Sequence, residues 1–143
     1  MRQGKPIPAA GPPHSALAEE TLRACPLKAP LAERGLLSTL DAGRLECVFK
    51  LLANTSRLRL LHALVRQPGL HVGALAAAVG MKPQAVSNQL QRLALSGIVT
   101  ADRHGSHVHY RVVDPCVVGL LELALCLDED NRTAGATARA AER

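Results

Sequence analysis

The sequence predicts a mainly α-helical domain carrying one small β-hairpin, and three observations support that reading. Hydrophobic residues make up 48% of the 143, yet aromatics make up only 1%, namely Phe49 and Tyr110 with no Trp. The core must therefore be aliphatic, and the Leu and Ala that supply it are strong helix formers. Apolar residues also recur at three- and four-residue steps through the middle of the chain, the period of an amphipathic helix. Finally, two β-branched runs, 98–103 and 108–113, flank His104-Gly105-Ser106-His107 and read as a hairpin. The scarcity of aromatics excludes two classes. A single-stranded nucleic-acid platform needs ring faces on which bases stack, and an immunoglobulin-like sandwich needs a buried Trp.

The elements follow in order. Residues 1–13 hold Pro6, Pro8, Pro12 and Pro13 with Gly4 and Gly11 and read as a disordered tail. Residues 14–35 form an N-terminal arm with a short helix over 15–24, stopped at Cys25-Pro26. The structured domain spans 36–127. Its first helix covers 36–53, with Leu37, Leu40, Leu45, Val48, Leu51 and Leu52 on one face. Thr55 or Ser56 then caps a helix over 57–66, which buries Leu58, Leu61, Leu64 and Val65 and ends at Pro68-Gly69. A short helix over 72–79, Gly80, and a helix from Pro83 to about Ser96 have the spacing of a helix-turn-helix. After the hairpin, Asp114-Pro115 starts a last helix through Leu127, and 128–143 read as a flexible C-terminal tail.

The formal charge of +5 and a pI near 9.4 suit an anionic partner, and the charge is unevenly spread. Residues 57–111 carry seven Lys and Arg against one acid, Asp102, and hold five of the six His. In the helix from Pro83, Val86, Leu90 and Leu93 form the apolar stripe, so Gln84, Asn88 and Gln91 face away with Ser87 and Arg92 on the flanks. Asn and Gln offer a donor beside an acceptor, matching the adenine edge in the major groove. Lys82 precedes this helix, and Arg103, His104 and His107 furnish a basic hairpin tip suited to phosphates. A helix-turn-helix followed by such a hairpin is a winged helix-turn-helix. The expected partner is double-stranded DNA.

Met1-Arg2-Gln3-Gly4-Lys5-Pro6 has no signal-peptide apolar run, and no stretch approaches the ~18 apolar residues of a membrane span. The expected setting is a reducing cytoplasm without membrane contact, where four Cys read as ligands or sensors sooner than as disulfides.

Four ordered motifs extend the reading: Ala53…Arg57-Leu58-Arg59-Leu60-Leu61, Ala85-Val86-Ser87-Asn88-Gln89-Leu90, Leu93…Gly97-Ile98-Val99, and a wing ending Tyr110-Arg111. With these, residues 45–127 resemble the ArsR/SmtB family of bacterial metal- and stress-responsive repressors. The resemblance implies a homodimer whose first long and last helices form the interface, two recognition helices over a palindromic operator, and repression relieved by an inducer. No catalytic constellation is present, so the protein reads as a regulator and not an enzyme.

The family places metal ligands in a few spots. At the start of the helix-turn-helix, where Cys-x-Cys sits in relatives, this chain reads His71-x-Gly73, taken as a solvated loop His. In the last helix the family pattern Asp-x-His…His-x-x-(Glu/His) appears as Asp114-x-Cys116 and Cys126-x-x-Glu129. Cys116 and Cys126 are ten residues apart, about 15 Å along a helix, so only an antiparallel partner subunit could pair them. A third arrangement joins Cys47 of the first helix to Cys116, with Cys25 supplied by the arm. Thiolates favour soft ions. A three-sulfur site suits As(III), Hg(II), Cd(II) or Pb(II), and a mixed Cys/Asp/Glu site leans to Zn(II) or Cd(II). The alternative is thiol-based sensing of oxidants or persulfides, with Cys47 linked to Cys116 or Cys126.

Overall fold

Alternating Leu-rich faces and capping residues divide the chain into short helices packed around a sheet. The computed structural model describes residues 28–141; the arm helix expected over 15–24 and Cys25 lie outside the described residues. After one 3-10 turn at Leu31–Glu33 come α1 (Thr39–Leu52), α2 (Thr55–Arg66), β1 (Leu70–His71), α3 (Val72–Val79) and α4 (Pro83–Leu95). Strands β2 (Val99–His104) and β3 (His107–Val112) and helix α5 (Pro115–Ala141) follow. The antiparallel sheet has the order β1-β3-β2.

Local chemistry sets each boundary. Ser38 opens α1: its hydroxyl oxygen accepts from the Asp41 amide at 3.1 Å. Helix α2 is capped by Asn54, whose Oδ1 accepts from the Arg57 amide at 3.0 Å. The sequence pointed to Thr55 or Ser56, but Asn54 holds the extended backbone a cap requires, and both hydroxyl residues already lie inside the helix. Gly80 ends α3 in the left-handed region (φ 64°), which only Gly enters without steric cost. Lys82 precedes α4 with no side-chain cap, and Pro83 at the first helical position has no N–H to leave unpaired.

The core lies where α2, α3, α4 and the sheet meet. Leu60, Leu61 and Leu64 of α2 pack with Leu75 and Val79 of α3 and with Val86, Leu90 and Leu93 of α4. Ile98, Val99, Tyr110 and Val117 close it from the sheet and α5. Leu61, Leu64 and the α4 stripe are buried as expected, whereas Leu58 and Val65 lie on the outer side of α2 and are exposed in the single chain. Leu60 takes the inward place, because Leu60, Leu61 and Leu64 share one face at three- and four-residue steps.

Two further boundaries differ from the sequence reading. The hairpin loop is two residues, Gly105-Ser106, and His104 pairs with His107 at its mouth. Gly105 has φ 63°, as a type II′ loop needs at its first central position. Strand β1 was not anticipated: Leu70 pairs with Tyr110 and His71 with His109, in a run too short to show a period. Helix α5 also continues past residue 127 to Ala141. Ala-rich sequence, an Asp128–Arg132 pair at 3.8 Å one turn apart, and the Thr133 hydroxyl donating to the Glu129 carbonyl at 2.9 Å carry it onward. No helix among the described residues is long and apolar enough to cross a membrane.

Asn54→Ala is expected to lower the unfolding free energy by about 1 kcal/mol, with Thr55→Ala and Ser56→Ala smaller. Urea denaturation of the three variants checks this.

Candidate nucleic-acid interface and sensing residues

Burying Val86, Leu90 and Leu93 turns the opposite side of α4 outward. Gln84, Asn88, Gln91 and Arg92 are exposed there, and Ser87 is half-buried. The Gln84 amide donates to Asn88 Oδ1 at 3.1 Å, so two amide side chains are held side by side on one turn. Lys82 is exposed at the entry to α4, and Arg103, His104 and His107 are exposed on the wing. Lys82, Arg92 and Arg103 have no carboxylate within ion-pairing distance among the described residues. Asp102, the lone acid of this segment, is taken by Arg111 at 3.3 Å. The sequence-derived contact residues thus lie on α4 and the wing tip, with their positive charges uncompensated.

Histidines tie the wing to the helix-turn-helix. His71, read from sequence as a solvated loop residue, is half-buried and caps α3, its Nδ1 accepting from the Ala74 amide at 3.3 Å. Its ring stacks on His107 with centroids 4.9 Å apart and meets His109 edge-on at 6.1 Å. His109 Nδ1–H donates to the Gly69 carbonyl at 2.6 Å, and His104 lies 5.4 Å from the His109 ring. The signal available in the sequence was the alternation His107, His109 on one strand, but its partner His71 depended on the unseen β1.

Arg57 is a second residue whose role the sequence reading missed. It is 8% exposed and the only buried charged residue among those described. Its guanidinium donates to the Leu51 carbonyl, to the Lys50 carbonyl at 3.4 Å and to Gln89 Oε1 of α4 at 2.9 Å.

The thiols sit apart from the exposed amide face of α4. Cys47 is exposed on α1, while Cys116 and Cys126 are half-buried on α5. Asp114 is exposed and its Oδ1 accepts from the Cys116 amide at 2.8 Å, which starts α5; Glu129 is exposed two turns from the Leu121 level. Among the described residues of one chain, no three His, Cys, Asp or Glu converge on a point that could hold a metal ion.

Residues 54–107, from the α2 cap to the first residue of β3, match a family model described as the MarR family. The crystal structure of the AntR antimony-specific transcriptional repressor is 59% identical and superposes with a TM-score of 0.66, covering 75% of this chain and 96% of that one. The HTH-type transcriptional regulator NmtR of Mycobacterium tuberculosis is 38% identical over 89 residues, 62% of this chain and 73% of NmtR. The chain belongs to the ArsR/SmtB family. The MarR match is confined to the helix-turn-helix and the first part of the wing, while these relatives align over a longer stretch. An NMR structure from Mycobacterium bovis, a homodimeric winged helix-turn-helix domain described as a possible ArsR-family regulator, is 33% identical. It has a TM-score of 0.56 and covers 68% of this chain and 92% of that one. This ArsR/SmtB protein is thus a transcriptional regulator, with an antimony-specific repressor among its relatives.

His71→Ala removes both the α3 cap and the stack on His107. A stability loss of about 1 kcal/mol is expected, measured by urea unfolding.

Proposed function

We propose that the protein is a homodimeric repressor that reads a palindromic operator with α4 and the wing. It releases that operator when a thiophilic ion is held by cysteines at the subunit interface. The observation that carries this reading is the bare apolar face of α1. Leu37, Leu40, Leu45, Val48 and Phe49 are all exposed, as are Leu123, Leu125 and Leu127 of α5. Apolar residues left exposed in such number mark an interaction site, and Cys47, Cys116 and Cys126 stand on the same two helices.

Gln84, Ser87, Asn88 and Gln91 read base edges, while Lys82, Arg92, Arg103, His104 and His107 hold phosphates. Cys47, Cys116 and Cys126 are soft donors, with Asp114, Glu129 and, from the arm, Cys25 as further candidates. No three donors converge within one chain among the described residues, so in this reading the second subunit or the arm's Cys25 completes the set. We rank the trivalent metalloids Sb(III) and As(III) ahead of Hg(II), Cd(II), Pb(II) and Zn(II), a ranking supported by the similarity to an antimony-specific repressor. When bound, the ion supplies a cross-link between thiolates of interface helices. A preference of about 1–3 kcal/mol for the arrangement that misplaces the recognition helices is enough to release DNA.

Titrating Sb(III), As(III), Cd(II), Hg(II), Pb(II) and Zn(II) into the protein–operator complex tests the sensing claim. Release by a trivalent metalloid at the lowest concentration is expected, together with loss of that response in Cys116→Ser and Cys126→Ser. Release by none of the ions sinks it. Release by peroxide or persulfide, with a mass link from Cys47 to Cys116 or Cys126, replaces it by redox sensing. On the DNA side, Asn88→Ala is expected to cost about 1–3 kcal/mol on operator but not on random duplex. Lys82→Ala should weaken both and lower the salt slope by about one. Binding isotherms over a salt series measure each.

A further inference from the structure

Helix α1 touches its own domain almost solely through its last turn. From Thr39 to Lys50 every residue but the half-buried Gly43 is exposed; Leu51 is half-buried and Leu52 buried. Whatever seats α1 can therefore reach the rest of the chain through one place.

The last four carbonyls of a helix have no partner within it, and at the end of α1 all four are engaged. Phe49 accepts from the Ala53 amide at 2.8 Å and Leu52 from the Asn54 amide at 2.6 Å. The remaining two, Lys50 and Leu51, accept from the guanidinium of Arg57. The same planar group donates its third bond to Gln89 Oε1 on α4, 32 residues further along. No carboxylate neutralises Arg57 among the described residues, so a buried cation rests on three neutral oxygens. A guanidinium presents its donors in a rigid fork, so the three acceptors cannot shift independently. Gln89 lies between Asn88 on the exposed face and the fully buried Leu90. Gln89 is therefore a point at which the guanidinium ties the end of α1 to α4.

We propose that Arg57 is a positioning residue that transmits the seating of α1 to the recognition helix through Gln89. It sets the angle at which Gln84, Asn88 and Gln91 meet the bases. This rests on the reading of α4 as the DNA-contacting helix. Arg57 is buried and needs no contact with DNA to act.

The test uses the full chain, a duplex that it selects from a randomised pool, and a random duplex of equal length. Gln89→Met keeps the length of the side chain and removes the acceptor. The ratio of selected to random affinity should fall about tenfold, the scale of one hydrogen bond to a cation, while affinity for random DNA holds. Arg57→Lys should lower the same ratio, and Arg57→Lys/Gln89→Met should be no worse than the poorer single variant. Gln89→Glu keeps an acceptor and should preserve the ratio while weakening both affinities alike. Reciprocity adds a readout at the other end. Binding the selected duplex should slow hydrogen exchange at the Ala53 and Arg57 amides in the parent protein, and not in Gln89→Met. If Arg57→Lys does not fold, the two Gln89 variants and the exchange data decide. Additive single effects, an unchanged ratio in Gln89→Met, or exchange at the α1 end indifferent to that change would each overturn the inference. A parent protein that selects no duplex would overturn the DNA-reading assignment itself, and this inference with it.

Discussion

The interlock of Leu60, Leu61 and Leu64 with Leu75, Val86, Leu90 and Leu93 is the contact on which the rest of the structure hangs. All seven are essentially inaccessible to water, and aliphatic side chains packed at crystal-like density leave little room for α4 to slide. That rigidity is what the proposed base-reading role of Gln84, Asn88 and Gln91 requires. Short polar side chains can discriminate bases only if the helix beneath them keeps its register. The same core also accounts for what is left outside it. It consumes the inward faces of α2, α3 and α4 and only the start of α5, so α1 and most of α5 keep their apolar residues uncovered.

Sequence made the helix-turn-helix legible and the proposed sensing site much less so. Val86, Leu90 and Leu93 announced both the buried stripe and, by subtraction, the polar face, because one helix carries both halves of that argument. Gly80 and Pro83 punctuated the turn in the way their backbone chemistry dictates. What stayed hidden was tertiary. Strand β1 has two residues and exists only because β3 is there to pair with it, so the role of His71 could not be seen. The Arg57–Gln89 bond spans 32 positions and has no local period. Leu58 and Val65 looked like core because they are apolar; their outward side is decided by which face of α2 meets α3 and α4. The cap at Asn54 turned on backbone conformation, since three adjacent residues, Asn54, Thr55 and Ser56, all carry suitable oxygens. The extension of α5 beyond residue 127 rests on modest helix propensity and one i,i+4 pair, signals that a polar tail masks.

Charge and thiols divide the molecule into two working regions. Lys82, Arg92 and Arg103 have no acid partner among the described residues, and the exposed acids Asp114, Asp128, Glu129 and Asp130 lie at the start of α5 and along it. An acidic α5 is poorly suited to lie along phosphates. The two regions meet at few side chains, the end of α1 being one and Val117 another. Of the described thiols, only Cys47 stands exposed, away from the packing under α4.

Tyr110 gives the wing an optical signature of its own. It is the single Tyr in a chain without Trp, and it is buried on β3 opposite Leu70 and Ala101. Phenol emission from this protein therefore arises from one known point, beneath the wing and beside the core, with no indole to absorb or outshine it. Any event that lifts the hairpin or loosens β1 changes the surroundings of that one ring, so wing movement can be followed in the unlabelled protein.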